Sequence, residues 1–211
     1  MLVGIVDLGI NNLTSVEKAF QLPLLSTDSL KILGVEKSIE RPDLIILPGL
    51  GKFGAGMSAL ESNDFPSVIR NWHQLGSRVV GICLGMQLLA TESDESPGVK
   101  GLNLINGHIQ KLSINNEERI PHTGWAQTDS SKSLHPFEAL RSPGDFYFVH
   151  SYQFVPTDEE SILTQTKFGN LNFVSSVLSG RILGVQFHPE KSGKKGKSLI
   201  SEIVSWGRGE T

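Results

Sequence analysis

At 211 residues, 38% hydrophobic and 19% charged, the chain is long enough to bury a substantial core and reads as one globular domain over 1–211. Its 19 basic and 22 acidic residues leave a formal charge of −3, which removes the global basic field that nucleic-acid binding requires. A single cysteine excludes an internal disulfide framework, and no apolar run approaches the roughly 18 residues of a membrane span. The strand-like opening Leu2-Val3-Gly4-Ile5-Val6 is too short and too poor in basic residues for a signal peptide, so a reducing cytoplasm is the expected location.

In chain order, residues 2–6 read as a strand and 12–20 as a helix with apolar residues at helical spacing. The continuous apolar run 44–47 suits a central strand covered on both faces. Helical patterns follow at 56–61 and 65–75, then a buried strand at 78–82 and a helix at 84–91. The second half offers strands at 146–154, 172–177 and 182–187 and a closing helix at 197–206. Between 91 and 147 the pattern gives only loops and short strands. The alternation predicts a three-layer α/β/α fold whose central, mostly parallel sheet carries a smaller antiparallel appendage.

Gly81-Ile82-Cys83-Leu84-Gly85 places the lone cysteine where strand should turn sharply into helix. A lone cysteine is most often a small buried hydrophobe. Glycines two residues to either side, however, allow the strained turn of a nucleophile elbow, and a helix N-terminus favours the thiolate. Gln186-Phe187-His188-Pro189-Glu190 ends a strand with a histidine and a carboxylate two positions apart. In extended backbone these share a side, so Glu190 could orient His188 toward a nucleophile. Taken alone, His-Pro-Glu is more often a surface turn; beside the elbow it completes a Cys-His-Glu triad. Oxyanion donors are available from the Leu84 N–H and from the loop Pro48-Gly49-Leu50-Gly51 after the 44–47 strand.

Two patterns mislead. Gly49-Leu50-Gly51-Lys52-Phe53-Gly54 matches G-x-G-x-x-G, but it follows the second clear strand and lacks a placed acid for a ribose; the glycines read instead as freedom for an oxyanion N–H. Gly193-Lys194-Lys195-Gly196-Lys197-Ser198 ends like a P-loop, but Lys191 stands where that motif needs its first glycine. The six histidines show no metal-ligand spacing, so neither metal nor cofactor is expected.

These stretches, with Ser96-Pro97-Gly98-Val99-Lys100-Gly101-Leu102, Ile120-Pro121-His122-Thr123-Gly124-Trp125 and Phe148-Val149-His150-Ser151-Tyr152, resemble the class I (triad) glutamine amidotransferases nearly end to end. Within them the chain is most similar to the glutaminase subunits of imidazole glycerol phosphate synthases. The resemblance implies attack of Cys83 on the side-chain amide of L-glutamine, with His188 as acid and base and Glu190 as its orienter. It implies an oxyanion site from Leu84 and the Gly49, Leu50, Gly51 loop, and a glutamine site from Gln87, His150, Ser151 and Tyr152. It also implies ammonia transfer to a (β/α)₈-barrel partner subunit, met by Asn12, His122, Trp125 and Lys191. Leu8, Asn11, Thr123 and Ala126 depart from the family pattern on the partner side and leave a second expectation open, a paralogous glutaminase serving another synthase.

Overall fold

The structure is a computed structural model that describes residues 1–9, 13–34, 40–113, 119–132 and 135–210. The strands are β1 (Leu2–Val6), β2 (Ser29–Leu33), β3 (Leu44–Gly49), β4 (Arg78–Cys83), β5 (Glu92–Ser93), β6 (Gly107–Lys111), β7 (His122–Ser130), β8 (Gly144–His150), β9 (Tyr152–Pro156), β10 (Ile162–Phe168), β11 (Leu171–Ser179) and β12 (Ile182–Val185). The α-helices are α1 (Leu13–Gln21), α2 (Phe53–Glu61), α3 (Phe65–Gln74), α4 (Leu84–Leu88), α5 (Glu138–Arg141) and α6 (Gly193–Arg208).

Among the described residues nine strands form the main sheet in the order β2-β1-β3-β4-β12-β11-β10-β7-β8. Pairing is parallel from β2 to β12 and antiparallel from β12 onward. A separate small sheet runs β5-β6-β9. The apolar run at β3 is buried throughout because successive side chains enter opposite layers. Leu44 and Ile46 join Val16, Phe20, Leu199 and Ile203 on one side; Ile45 and Leu47 join Met57, Leu60 and Ile69 on the other. Each such side chain contributes roughly 1.5–3 kcal/mol by leaving water. Helices therefore cover both faces, as the three-layer reading requires.

Three sequence expectations change. The 146–154 strand is two strands, β8 in the main sheet and β9 in the small one, broken at Ser151. The helix after the cysteine ends at Leu88, so the dipole acting on Cys83 comes from little more than one turn. Residues 91–147 hold the nine-residue β7, whose alternating burial seats it on the sheet although few of its side chains are aliphatic. Among the described residues no helix is long and apolar enough to cross a membrane.

Candidate active site

Cys83 is the last residue of β4 and adopts φ 55° and ψ −109°, a conformation that an L-residue holds only when its surroundings impose it. The glycines permit it. A Cβ on Gly85 would lie 1.7 Å from the Leu47 carbonyl oxygen, and one on Gly81 would lie 2.6 Å from the Gly85 backbone. The tight turn thus requires bare backbone at both positions, and it leaves the sulfur beside the end of β12.

β12 is the parallel neighbour of β4, with Val185 opposite Ile82. The chain continues to His188, and Pro189–Lys191 then forms a 3₁₀ turn instead of extended strand. The pairing expected from extended spacing arises from this turn. His188 Nδ1 lies 2.8 Å from Glu190 Oε1, and the two side chains are 3% and 4% exposed. Ser192 holds the turn: its hydroxyl donates to the His188 carbonyl and accepts the Tyr147 N–H, while His188 N–H donates to Tyr147 O at 2.8 Å. Burial works against a charged His188, but Cys83 and Glu190 outweigh it and raise the ring's pKa to about 10. Among the described residues the buried Nε2 makes no close hydrogen bond, which leaves it available on the Cys83 side.

Beside Cys83 lies a cavity of about 160 Å³ lined by Leu50, Gly51, Leu84, Gln87, Glu95, Pro121, Val149, His150, Ser151 and Tyr152. It is smaller than the roughly 300–1,000 Å³ typical of drug-sized ligands, so its occupant is small. The cavity gathers the expected Leu50, Gly51, Leu84, Gln87, His150, Ser151 and Tyr152. Gly49 stands behind them, paired with Cys83 across β3 and β4 and packed on Leu84. The glycine loop does not hold a nucleotide phosphate: the first N–H groups of α2, from Phe53 and Gly54, are taken by Glu95 Oε2 at 2.7 Å and Ser96 Oγ at 2.9 Å. The lysine-rich stretch is the first turns of α6, where a Cβ on Gly196 would strike the Pro189 carbonyl at 2.0 Å. No group of three or more metal-ligating side chains occurs among the described residues.

The partner-side expectations divide. Trp125 is 58% exposed and stacks edge-on against Tyr147, and the exposed Lys191 places its ammonium 5.8 Å from the same ring. His122 is buried, contrary to an interface role for its side chain. Its ring lies between Phe148 and Phe168, and its Nδ1 is 3.2 Å from His150 Nε2. The aromatic neighbours that make β7 and β8 a core pair take it inward. Burial lowers the His122 pKa to about 4 and that of His150 to about 3, so both rings are neutral. Asn12 lies outside the described residues. Sequence reasoning missed Glu95 and Ser192, and also Gln186, whose one signal is a polar residue within the apolar run Gly184-Val185-Gln186-Phe187.

The family described as glutamine amidotransferase class-I matches residues 9–204. The chain is 44% identical over 198 residues to the imidazole glycerol phosphate synthase subunit HisH of Pyrococcus furiosus, covering 94% of this chain and 95% of that protein. It is 39% identical to the subunit of the same name from Thermotoga maritima, covering 97% and 96%. Against that from Prochlorococcus marinus it is 37% identical, covering 99% and 96%. Among solved structures, a glutamine amidotransferase crystal structure superposes with TM-score 0.74 at 17% identity, covering 98% of each chain. A chain of the Thermotoga maritima PurLQS structure gives 0.72 at 19%, covering 97% and 98%. These two likenesses establish the α/β fold.

Proposed function

This chain belongs to the class-I glutamine amidotransferase family, and from that premise we propose that it is the glutaminase subunit of an imidazole glycerol phosphate synthase in histidine biosynthesis. It hydrolyses L-glutamine to glutamate and passes the ammonia to a (β/α)₈-barrel synthase subunit. The observation that carries the reading is Cys83 on its strained elbow with the His188–Glu190 pair buried at the end of the adjacent strand.

In this reading His188 takes the thiol proton and the Cys83 sulfur attacks the amide carbon. The oxygen becomes an oxyanion, stabilised by N–H groups of Leu84 and the Leu50 loop. Collapse breaks the C–N bond, and the proton held on His188 leaves with the ammonia. His188 then activates water against the thioester, which releases glutamate and restores the thiol. Glu190 holds the ring in the tautomer with Nδ1–H and stabilises the imidazolium between steps. The Glu95 charge at the cavity wall suits the α-ammonium group of glutamine. A void of about 10 Å³ beside His188 and Glu190, walled by Val16, Pro48, Leu50 and Ile82, is at the lower limit for one water and of the right size class for ammonia. Trp125 and Lys191 suit the partner surface.

The reading is tested with Cys83→Ala in the assembled synthase. Glutamine-dependent product formation should vanish while synthesis from added ammonium salt persists. Glutamine-dependent activity that survives the substitution would remove Cys83 from the chemistry. A paralogous role, supplying a different synthase, would appear as co-purification with another acceptor enzyme.

A further inference from the structure

We propose that Gln186 acts directly on the nucleophile, its side-chain N–H stabilising and aiming the Cys83 thiolate, with the orientation of the amide set by Gln87 and the Tyr152 carbonyl. The proposal rests on Cys83 as nucleophile and adds a group to that site.

Gln186 is fully buried one residue past β12, and its backbone N–H is bonded to Ser175 O at 2.9 Å. Its Nε2 lies 3.7 Å from Cys83 Sγ and its Oε1 lies 3.0 Å from Gln87 Nε2. The two ends of an amide are alike in shape, so the orientation must follow from bonding logic. Here it starts at the Tyr152 carbonyl, which can only accept. Gln87 therefore presents nitrogen to it, at 3.1 Å, and the second hydrogen of that nitrogen goes to Gln186. The Gln186 atom receiving it is then oxygen, and its nitrogen faces the sulfur. The same Tyr152 carbonyl accepts His150 Nδ1–H at 2.8 Å, which leaves His150 Nε2 to accept from His122 Nδ1. Two donor series therefore meet at the Tyr152 carbonyl, one from His122 through His150 and one from Gln87, and the second hydrogen of Gln87 sets the Gln186 amide whose nitrogen faces the sulfur.

The sulfur requires such a donor. In its neutral form the thiol donates to the Val149 carbonyl at 3.8 Å. Once the thiol ionises, that carbonyl presents a negative dipole to a negative atom. Apart from the interaction with His188, Gln186 is the side chain hydrogen-bonded to Sγ among the described residues. A donor held in a buried site keeps its full value, because no water competes for it. The titratable groups that share this environment are His188 with Glu190 behind it, His150 with His122, and Glu95 and Tyr152 on the cavity wall.

The test uses the full chain with Gln186→Met, which keeps the volume and removes the donor, and Gln186→Glu, which sets an acceptor against the sulfur. Cys83 is the one cysteine of the sequence, so alkylation by iodoacetamide, followed by mass, reports on it alone. In Gln186→Met the thiolate limb of the pH–alkylation profile should move upward by about one unit, so labelling at neutral pH slows about tenfold. In Gln186→Glu it should move further. Glutamine kcat should fall with the labelling rate while KM stays within about threefold, since Gln87 keeps its bond to Tyr152. If Gln186→Met does not fold, Gln186→Glu and the shorter amide Gln186→Asn carry the same measurement. An unshifted profile in any folded variant overturns the proposal. A shifted profile in a chain whose native form hydrolyses no glutamine would keep the proposal and refute the glutaminase reading.

Discussion

Replacing Glu190 by Gln isolates the charge of the orienter from its shape. Glutamine can still accept the His188 Nδ1 hydrogen through its carbonyl oxygen, so the tautomer and the ring position survive. What disappears is the attraction between carboxylate and imidazolium. At about 4 Å and an effective dielectric of about 20 this attraction is worth about 4 kcal/mol. The retained neutral hydrogen bond returns part of it, leaving a loss of about 2–3 kcal/mol. The ring's basicity, held at about 10 in the native chain, should drop by about two units. Glutamine turnover should fall about 30- to 150-fold, since the imidazolium forms during the attack step. Removing the base in His188→Ala should cost several orders of magnitude.

The assay pairs steady-state glutaminase rates with an NMR titration of the His188 ring nitrogens. The linkage sign is fixed. A base whose pKa is raised on folding contributes stability that is fully present below about pH 6.5 and is lost as pH rises through about 10. In Glu190→Gln that loss should be complete about two pH units earlier. A ring midpoint and a turnover both unchanged from the native chain would show that Glu190 carries no charge-dependent role and would refute the triad reasoning.

Gly85→Ala should destabilise the fold by at least about 3 kcal/mol, a fall of about 6–12 °C in melting temperature, because its Cβ meets the Leu47 carbonyl at 1.7 Å; a melt within two degrees of native would show that the elbow relaxes freely. Lys191→Ala should weaken partner affinity or partner-stimulated turnover by about 1–3 kcal/mol and leave the basal rate of the isolated chain unchanged. Calorimetric titration with the barrel subunit beside both assays checks this, and a basal loss with unchanged binding would move Lys191 into the chemistry. Asp28, 2% exposed, accepts from Arg208, from the Leu25 N–H and from the chain's amino terminus; Arg208 first among them holds its pKa down to about 2. Its contribution is therefore complete above about pH 4 and lost as pH falls through about 2, so Asp28→Asn should cost about 2 kcal/mol at neutral pH and flatten the acid limb of a stability profile.

The elbow and the His188–Glu190 pair were legible because each is written locally. Gly81 and Gly85 flank Cys83, and Pro189 sits between His188 and Glu190, so neighbouring residues name the partners, although the second pairing comes from a 3₁₀ turn and not from extended backbone. The parallel half of the sheet was legible because strands buried on both faces are continuous apolar runs, as at β3. β7 was not, because it pairs through its backbone and carries Thr123, Gln127 and Asp129 outward, leaving few aliphatic side chains to set a period. The burial of His122 was hidden for the same reason. A histidine beside an exposed tryptophan looks superficial until Phe148 and Phe168 are brought to its faces by strands remote in sequence. Glu95 and Gln186 act through partners 42 and 103 positions away, and no local pattern reports such meetings.

The antiparallel half of the sheet has a consequence for how the site is held. β8 is the outer strand of the sheet, four places from β12, yet it supplies Val149 and His150 to the cavity and Tyr147 to the base. Tyr147 then stands between two functions. Its carbonyl accepts the His188 N–H and its N–H meets Ser192, while its ring carries Trp125 on one side and Lys191 on another. The exposed Trp125–Lys191 surface is thus one ring contact and one backbone hydrogen bond from His188.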